Sequence, residues 1–437
     1  AETRLLAQAD ALRQSEAHSE GLAELSIERI GARGDGIAQY RGELVFVPFT
    51  VPGDRVHARF GARRHGGWEG LVVHLLASGP GRTAPRCRHF GTCGGCALQH
   101  LDDASYRRLK LGTLRTALER VGIDPSVVGP MRLVPPERRR ARLGLARPRD
   151  PRLPARVGYR ERFRHSLIDP IECPVLEPAI FALIDGLRQV AADFVAAGEM
   201  AEATLTRSDS GIDLMIEAAE RPKLGACEAL ARFAEECDLA RIVWRSGLDE
   251  LVIVEQQPVR VLLSGVAVPF PPGAFLQASP SAEMILVEEV LSGVGPDRPV
   301  LDLFAGLGTF GFALARGGSV HAIEGDARTA AALARAAADQ PRVTVERRDL
   351  ARNPVPASAL ARYAAAVFDP PRAGATRQAE ALAASAIETV VAISCNPATF
   401  ARDAAKLVGG GYRLERVTPV DQFVWTPHLE LAAVFRR

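Results

Sequence analysis

No stretch of about 18 consecutive apolar residues occurs in the 437-residue chain, so no helix is expected to span a membrane. The opening residues, Ala1-Glu2-Thr3-Arg4, lack a basic segment followed by an apolar one, so no secretory signal is expected. Seven cysteines are too few and too unevenly placed for a disulfide framework. Four of them have the spacing of metal or cluster ligands and another ends an apolar run, which argues for a reducing cytoplasm. No internal repeat is visible, and Ala-rich stretches such as 327–338 are helix formers rather than low complexity. Acid is scarce in one region. Only Glu137, Asp150 and Glu161 oppose Arg132, Arg138, Arg139, Arg140, Arg142, Arg147, Arg149, Arg152, Arg156, Arg160, Arg162 and Arg164. Guanidinium forks bind phosphate bidentately and stay charged, so this stretch points to nucleic acid rather than to a merely solubilising loop. Arg138, Arg139 and Arg140 are expected to grip phosphate without reading base sequence.

What is present suffices for two or three domains, since 47% of the residues are hydrophobic. Residues 1–20 read as a tail. Over 21–78 short strands alternate with turns: Leu25 to Ile30, Gly34-Asp35-Gly36, Glu43 to Pro48, and Val51 to Val56. This pattern suggests a small barrel of the OB type, whose trailing Arg59, Arg63, Arg64, His65 and Trp68 offer charge and a stacking ring to RNA. Residues 79–265 carry α+β signals, and 266–437 alternate strand and helix as a doubly wound α/β domain does. No obligate protein partner is evident.

After the strand Val300-Leu301-Asp302-Leu303, the residues Gly306-Leu307-Gly308-Thr309-Phe310-Gly311 fit G-x-G-x-x-G opening a helix. The next strand ends at Glu324, suited to ribose hydroxyls. Alone, that pattern serves NAD as well as S-adenosylmethionine. The methyl donor is favoured by Asp302 before the glycines, where a carboxylate meets a cationic methionine moiety. Asp349 after the third strand, suited to the adenine amino group, and Asp369-Pro370-Pro371-Arg372 after the fourth point the same way. The strand 390–393 then ends in Ser394-Cys395-Asn396-Pro397, a thiol at the mouth of a buried sheet. Uracil C5 is a poor nucleophile until a thiolate adds to C6. A base must later remove the C5 proton so that the thiol can leave. Cys395 supplies the thiol, and Glu430, in Thr426-Pro427-His428-Leu429-Glu430, is the natural base.

Cys87, Cys93 and Cys96 surround a Gly94-Gly95 turn, with Cys173-Pro174 far downstream. Four thiolates can hold zinc or an iron–sulfur cluster. The tight turn and the distant fourth ligand before proline suit a cluster better than a zinc ribbon, which pairs two C-x2-C knuckles. Cys227 and Cys237 lie on an apolar helix pattern and read as core.

Asp369-Pro370-Pro371-Arg372, Ser394-Cys395-Asn396-Pro397 and His428-Leu429-Glu430, in this order behind such a sheet, resemble the uracil-C5 RNA methyltransferase family. The resemblance covers nearly the whole chain, because residues 22–77 are similar to that family's N-terminal TRAM barrel. It implies Cys395 as nucleophile and Glu430 as proton acceptor. It also implies a cofactor and target-base pocket lined by Gln277, Phe304, Glu324, Asp349 and Asp369, with Arg372 fixing the base or its loop and His428 in a positioning role. The chain departs from the pattern at Thr309, where many relatives have Asn but a hydroxyl remains, and at Ala305, where Cys is frequent. The cysteine spacing resembles the members that bear a 4Fe–4S cluster and act on ribosomal RNA. The implied function is methylation of a specific uridine C5 in 23S ribosomal RNA. The rivals are a T-loop uridine of tRNA, a non-catalytic RNA-binding iron–sulfur protein and an NAD-dependent oxidoreductase.

Overall fold

The computed structural model describes residues 22–64, 66–150, 152–162, 166–296 and 298–437, the side chain of Arg64 excepted. The expected tail and the basic residues His65 and Arg164 lie outside the described residues. Two compact units divide the chain. The first comprises Ala1–Thr113, Tyr159–Pro174 and Phe423–Pro427; the second comprises Leu114–Gly158, Val175–Gln422 and His428–Arg437.

In the first unit the alternating segments form a six-stranded sheet from Ala23–Ser26, Arg29–Ile30, Gly36–Tyr40, Glu43–Val47, Arg55–Arg64 and Gly67–Ala77. Every second residue faces one core of Ala23, Leu25, Ile27, Ala38, Val45, Val47, Val56 and Ala58, which sets the register. The stacking ring expected at Trp68 is already engaged. Arg63 lies 5.2 Å over it, its indole N–H donates to Glu43 at 2.6 Å, and Arg63 pairs with Glu43.

The second unit holds two larger sheets and a hairpin of Arg260–Leu263 with Val266–Pro269. One runs Arg140–Ala146, Met200–Ser208, Gly211–Glu217, Leu239–Ser246, Asp249–Glu255 in spatial order. Its one parallel pair, Gly211–Glu217 with Leu239–Ser246, is joined by the helix Leu224–Glu236, as a parallel connection requires. Within the Arg-rich stretch Arg132–Leu133, Arg140–Ala146 and Arg156–Arg160 are strands, and several of its cations have internal partners. Arg139 donates to the Gln277 carbonyl at 2.8 Å and to Glu283 at 2.6 Å, with both side chains of the ion pair largely buried. Arg140 donates to the Gly273 carbonyl, and Arg147 to the Ala192 carbonyl. Of the three arginines at 138–140 expected to grip phosphate, Arg139 and Arg140 have donors engaged by backbone carbonyls within the unit.

The other sheet has eight strands, ordered Val343–Arg347, Val320–Glu324, Val300–Leu303, Ala365–Phe368, Thr389–Ser394, Glu430–Arg436, Arg413–Asp421 and Arg132–Leu133. The first five are mutually parallel, and Glu430–Arg436 inserts antiparallel between its neighbours. The β-branched and Ala-rich runs of Val300–Leu303, Ala365–Phe368 and Thr389–Ser394 are buried on both faces, as central parallel strands between helices must be. The helix Pro280–Val294 covers one face with Ala282, Leu286, Val290 and Val294, against Val367, Val391, Ile393 and Val434. Its N-terminus is capped by the Ser279 hydroxyl, which accepts from the Ala282 N–H, while Glu137 accepts from the Ser281 N–H at 2.9 Å. Truncating fully buried Leu286 to Ala would cost about 2–5 kcal/mol. Leu333 and Ala332 of the helix Ala327–Ala337, with Phe312 and Val268, cover the other face.

Candidate active site

Parallel strands deliver their C-terminal ends to one crevice, and the candidate residues stand there. The strand Val300–Leu303 turns sharply at Phe304, whose φ of 61° is rare for a residue with a side chain. Gly308 follows with φ 96°, where a Cβ would meet Phe312 at 2.6 Å, and Thr309 then starts a helix. A Cβ on Gly311 would lie 2.9 Å from Asp302 Oδ2, so the third glycine of the motif lets the helix approach that carboxyl. Glu324 closes the turn by accepting from the Gly306 N–H at 2.9 Å and the Asp326 N–H at 2.7 Å. Asp349 is exposed and accepts from the Ala351 and Arg352 N–H groups.

Three carboxyls stand in this crevice, Asp302 and Glu430 buried and Asp369 partly so. Asp302 is fully enclosed, and neither of its oxygens accepts a hydrogen bond. Burial first, then Asp369 and Glu324, push it up to about 8. Burial pushes Asp369 up to about 7. Glu430 is pushed up to about 8 by burial and by Asp369, against which a hydrogen bond from Gln422 works.

The pairing of Ser394 with Leu431 sets the next residue outward on one strand, Cys395, beside the next outward on the other, Glu430. Burial, followed by Glu430 and Asp369, pushes the Cys395 thiol up to about 11, with Arg372 acting the other way. The thiol is therefore protonated at neutral pH until a substrate changes its surroundings. The turn that carries it is stiff. Asn396 caps the helix Pro397–Gly409 through the Ala398 N–H and donates to the Arg372 carbonyl at 3.2 Å. Arg372 reaches the His428 ring at 3.4 Å.

Gln422 was not legible as a site residue. Its amide donates to Glu430 Oε2 at 2.6 Å and to Gln277 Oε1 at 2.9 Å, and it accepts from the Ala278 N–H at 3.2 Å. It thereby ties Gln277, otherwise distant in sequence, to Glu430. The one available signal was a polar residue where the apolar strand Arg413–Asp421 ends.

The four cysteines belong to the first unit and are all free thiols. Cys173 acts electrostatically on Cys87, Cys93 and Cys96, so the four share one neighbourhood. Burial pushes Cys93 up to about 11 and Cys96 up to about 12. Sulfur acceptors are provided with donors: the His89 N–H faces Cys87 Sγ and the Gly95 N–H faces Cys93 Sγ, each at 3.4 Å. Gln99 accepts from the Cys87 N–H, which turns its buried amide nitrogen, without a hydrogen-bond partner, away from that contact. Among the described residues no group of three or more His, Cys, Asp or Glu side chains is arranged to hold a single metal ion.

Against known proteins, the profile of the family described as tRNA (Uracil-5-)-methyltransferase matches residues 333–437. An uncharacterised RNA methyltransferase of Brucella suis is 41% identical over 418 residues, covering 95% of this chain and 98% of that protein. The 23S rRNA (uracil(1939)-C(5))-methyltransferase of Halomonas elongata is 36% identical over 438 residues, covering 95% and 89%. The crystal structure of a Pyrococcus abyssi tRNA (uracil-54, C5)-methyltransferase with S-adenosyl-L-homocysteine superposes with a TM-score of 0.71 at 24% identity, covering 94% of this chain and 100% of that one. That likeness establishes the shared fold.

Proposed function

Because the chain belongs to the S-adenosylmethionine-dependent uracil-C5 RNA methyltransferases, we propose that it methylates C5 of a specific uridine in 23S ribosomal RNA, giving 5-methyluridine through a covalent bond between Cys395 and C6. The observation that carries the mechanism is the buried Glu430 beside Cys395 at the end of adjoining strands. Burial makes Glu430 a far better base than a carboxylate in water, matched to removing a carbon-bound proton near neutral pH.

The cofactor supplies an electrophilic methyl group when bound. The chain's residues fit it: the Asp302 carboxyl lies buried behind the glycine turn, the turn leaves room for backbone approach at Gly306, and Phe304, Thr309, Glu324, Asp349 and Asp369 border that turn and the strand ends beside it. The uridine is flipped out of its loop into the pocket, as base-modifying enzymes require. The Cys395 thiol gives its proton to solvent as Sγ bonds to C6, and the electron pair displaced from the C5–C6 double bond makes C5 nucleophilic. After C5 has gained the methyl group, Glu430 removes the remaining C5 proton. The C–H electrons rebuild the ring double bond, the Sγ–C6 bond breaks, and the thiolate is reprotonated. Gln277 and Arg372 hold the base and its loop.

The 36% identity with a 23S enzyme over nearly the whole chain favours ribosomal RNA over tRNA, as does the cysteine quartet. Cys87, Cys93, Cys96 and Cys173 would hold a 4Fe–4S cluster, whose larger body spreads its thiolates and accepts the N–H donors aimed at their sulfurs. Its role is to fasten the segments that carry the four thiols. Residues 21–78 would serve as a TRAM-type RNA-binding barrel, 79–265 as the central RNA-binding domain and 266–437 as the catalytic domain, acting in the cytoplasm. Purified enzyme, offered a deproteinised 23S fragment and unmodified tRNA transcripts with labelled cofactor, should label the 23S fragment at C5 of uridine. Label in tRNA alone would overturn the substrate assignment. Full turnover by Cys395→Ala would overturn the covalent mechanism.

A further inference from the structure

We propose that Gln422 is a positioning residue for proton removal: it occupies one oxygen of Glu430 so that only the other faces C5, an inference that rests on Glu430 being the base. The Ala278 N–H is an obligate donor, so the Gln422 atom beside it at 3.2 Å must be oxygen. The amide is then oriented with its NH2 group toward the site. Both hydrogens are used, one on Glu430 Oε2 at 2.6 Å and one on Gln277 Oε1 at 2.9 Å. Gln422, Gln277 and Glu430 are each at least nine-tenths buried, so water is poorly placed to substitute for any of these bonds.

Two consequences follow for the chemistry. An oxygen that already accepts from an amide is the poorer place for a new proton, so the C5 proton goes to Oε1. The same bond favours the ionised carboxylate, keeping Glu430 charged at a lower pH than burial alone would allow. The backbone anchors this frame at both ends. The Gln277 carbonyl accepts from Arg139, and Gln422 ends the strand Arg413–Asp421 that pairs with Glu430–Arg436. Gln277 has its oxygen committed to Gln422, so its own NH2 is left to donate.

The test uses Gln422→Glu, which keeps the shape and the acceptor for Ala278 but replaces the donor, and Gln422→Leu, which removes both. Each is assayed with the full-length protein on the RNA that wild type methylates. Single-turnover methyl transfer is separated from release of the protein–RNA adduct on denaturing gels. Loss of a hydrogen bond to a charged group corresponds to roughly a 10- to 100-fold slower release. Adduct bearing the transferred methyl group should accumulate, while methyl transfer and cofactor affinity change little. The acidic limb of the release rate should move to higher pH, because Glu430 without its donor holds its proton longer. Glu430→Gln and Cys395→Ala run on the same gel. Free release by Glu430→Gln would sink the base assignment itself. If that variant stalls but both Gln422 variants release at the wild-type rate with an unmoved pH limb, the inference alone fails. It fails equally if they lose methyl transfer without accumulating adduct, the mark of a merely structural residue.

Discussion

Replacing Asp302 by Asn should stabilise the protein without cofactor at neutral pH and weaken its hold on S-adenosylmethionine. Asp302 is fully buried, has no hydrogen-bond partner for either oxygen, and sits close enough to Asp369 and Glu324 to feel both. Its carboxyl is pushed from an ordinary 3.8 up to about 8. Between those values the folded chain keeps a proton that the unfolded chain has released, so stability is greatest below the lower value and is lost as pH rises toward the upper one. Each pH unit in that window costs about 1.4 kcal/mol, which amounts to roughly 4 kcal/mol at pH 7. Asn has nearly the same shape and cannot ionise, so its contribution does not change with pH. Urea unfolding of wild type and Asp302→Asn, from pH 4 to 8, should give curves that converge at the acid end. They should separate with a slope approaching one proton per molecule. A difference independent of pH, or a variant less stable than wild type at pH 8, would refute the reasoning. Cofactor affinity should fall at the same time, because the carboxyl behind the glycine turn can no longer ionise to balance a cation bound there.

Binding of the cationic cofactor at pH 7 should release protons from the crevice carboxyls, which are held at about 8, about 7 and about 8 in Asp302, Asp369 and Glu430. Calorimetry in buffers of different ionisation enthalpy would detect this, and heats identical in all buffers would contradict it. Anaerobically purified protein should be brown with about four irons per chain. Cys93→Ser should bleach it and reduce RNA affinity more than cofactor affinity, whereas a colourless protein with one zinc would decide for the rival ligand. Arg139→Ala should destabilise the second unit by about 3 kcal/mol, because it strands Glu283 in a largely buried site. Exposed Arg142, replaced by Ala, should leave stability nearly intact and lower the salt slope of RNA binding by about 0.7–0.9, and an unchanged slope would remove it from the phosphate contacts.

The catalytic sheet was legible because its signals are local. Val300–Leu303, Ala365–Phe368 and Thr389–Ser394 each show an apolar run that stops at a functional side chain, and burial on both faces leaves such a run few alternatives. The strand Arg132–Leu133, which closes the far edge of the sheet, was not legible: two residues pair with Val420 and Asp421, far along the sequence, and no local period announces that. The Arg-rich stretch misled for a related reason. Composition reports charge but not its partner, and Arg139 and Arg140 spend their donors on the carbonyls of Gln277 and Gly273, more than a hundred residues away. Gln422 escaped notice on the same principle. Nothing about a glutamine after Val420-Asp421 distinguishes it until the fold brings Ala278, Gln277 and Glu430 around its amide. Residues that react are constrained by their own chemistry and stand out in a sequence. Residues that orient them are defined by three-dimensional neighbours, and any polar side chain of the right length can serve. For this chain the proposed reacting pair, Cys395 and Glu430, stands out in the sequence by its chemistry, whereas the amide that joins Glu430 to Gln277 required the folded structure.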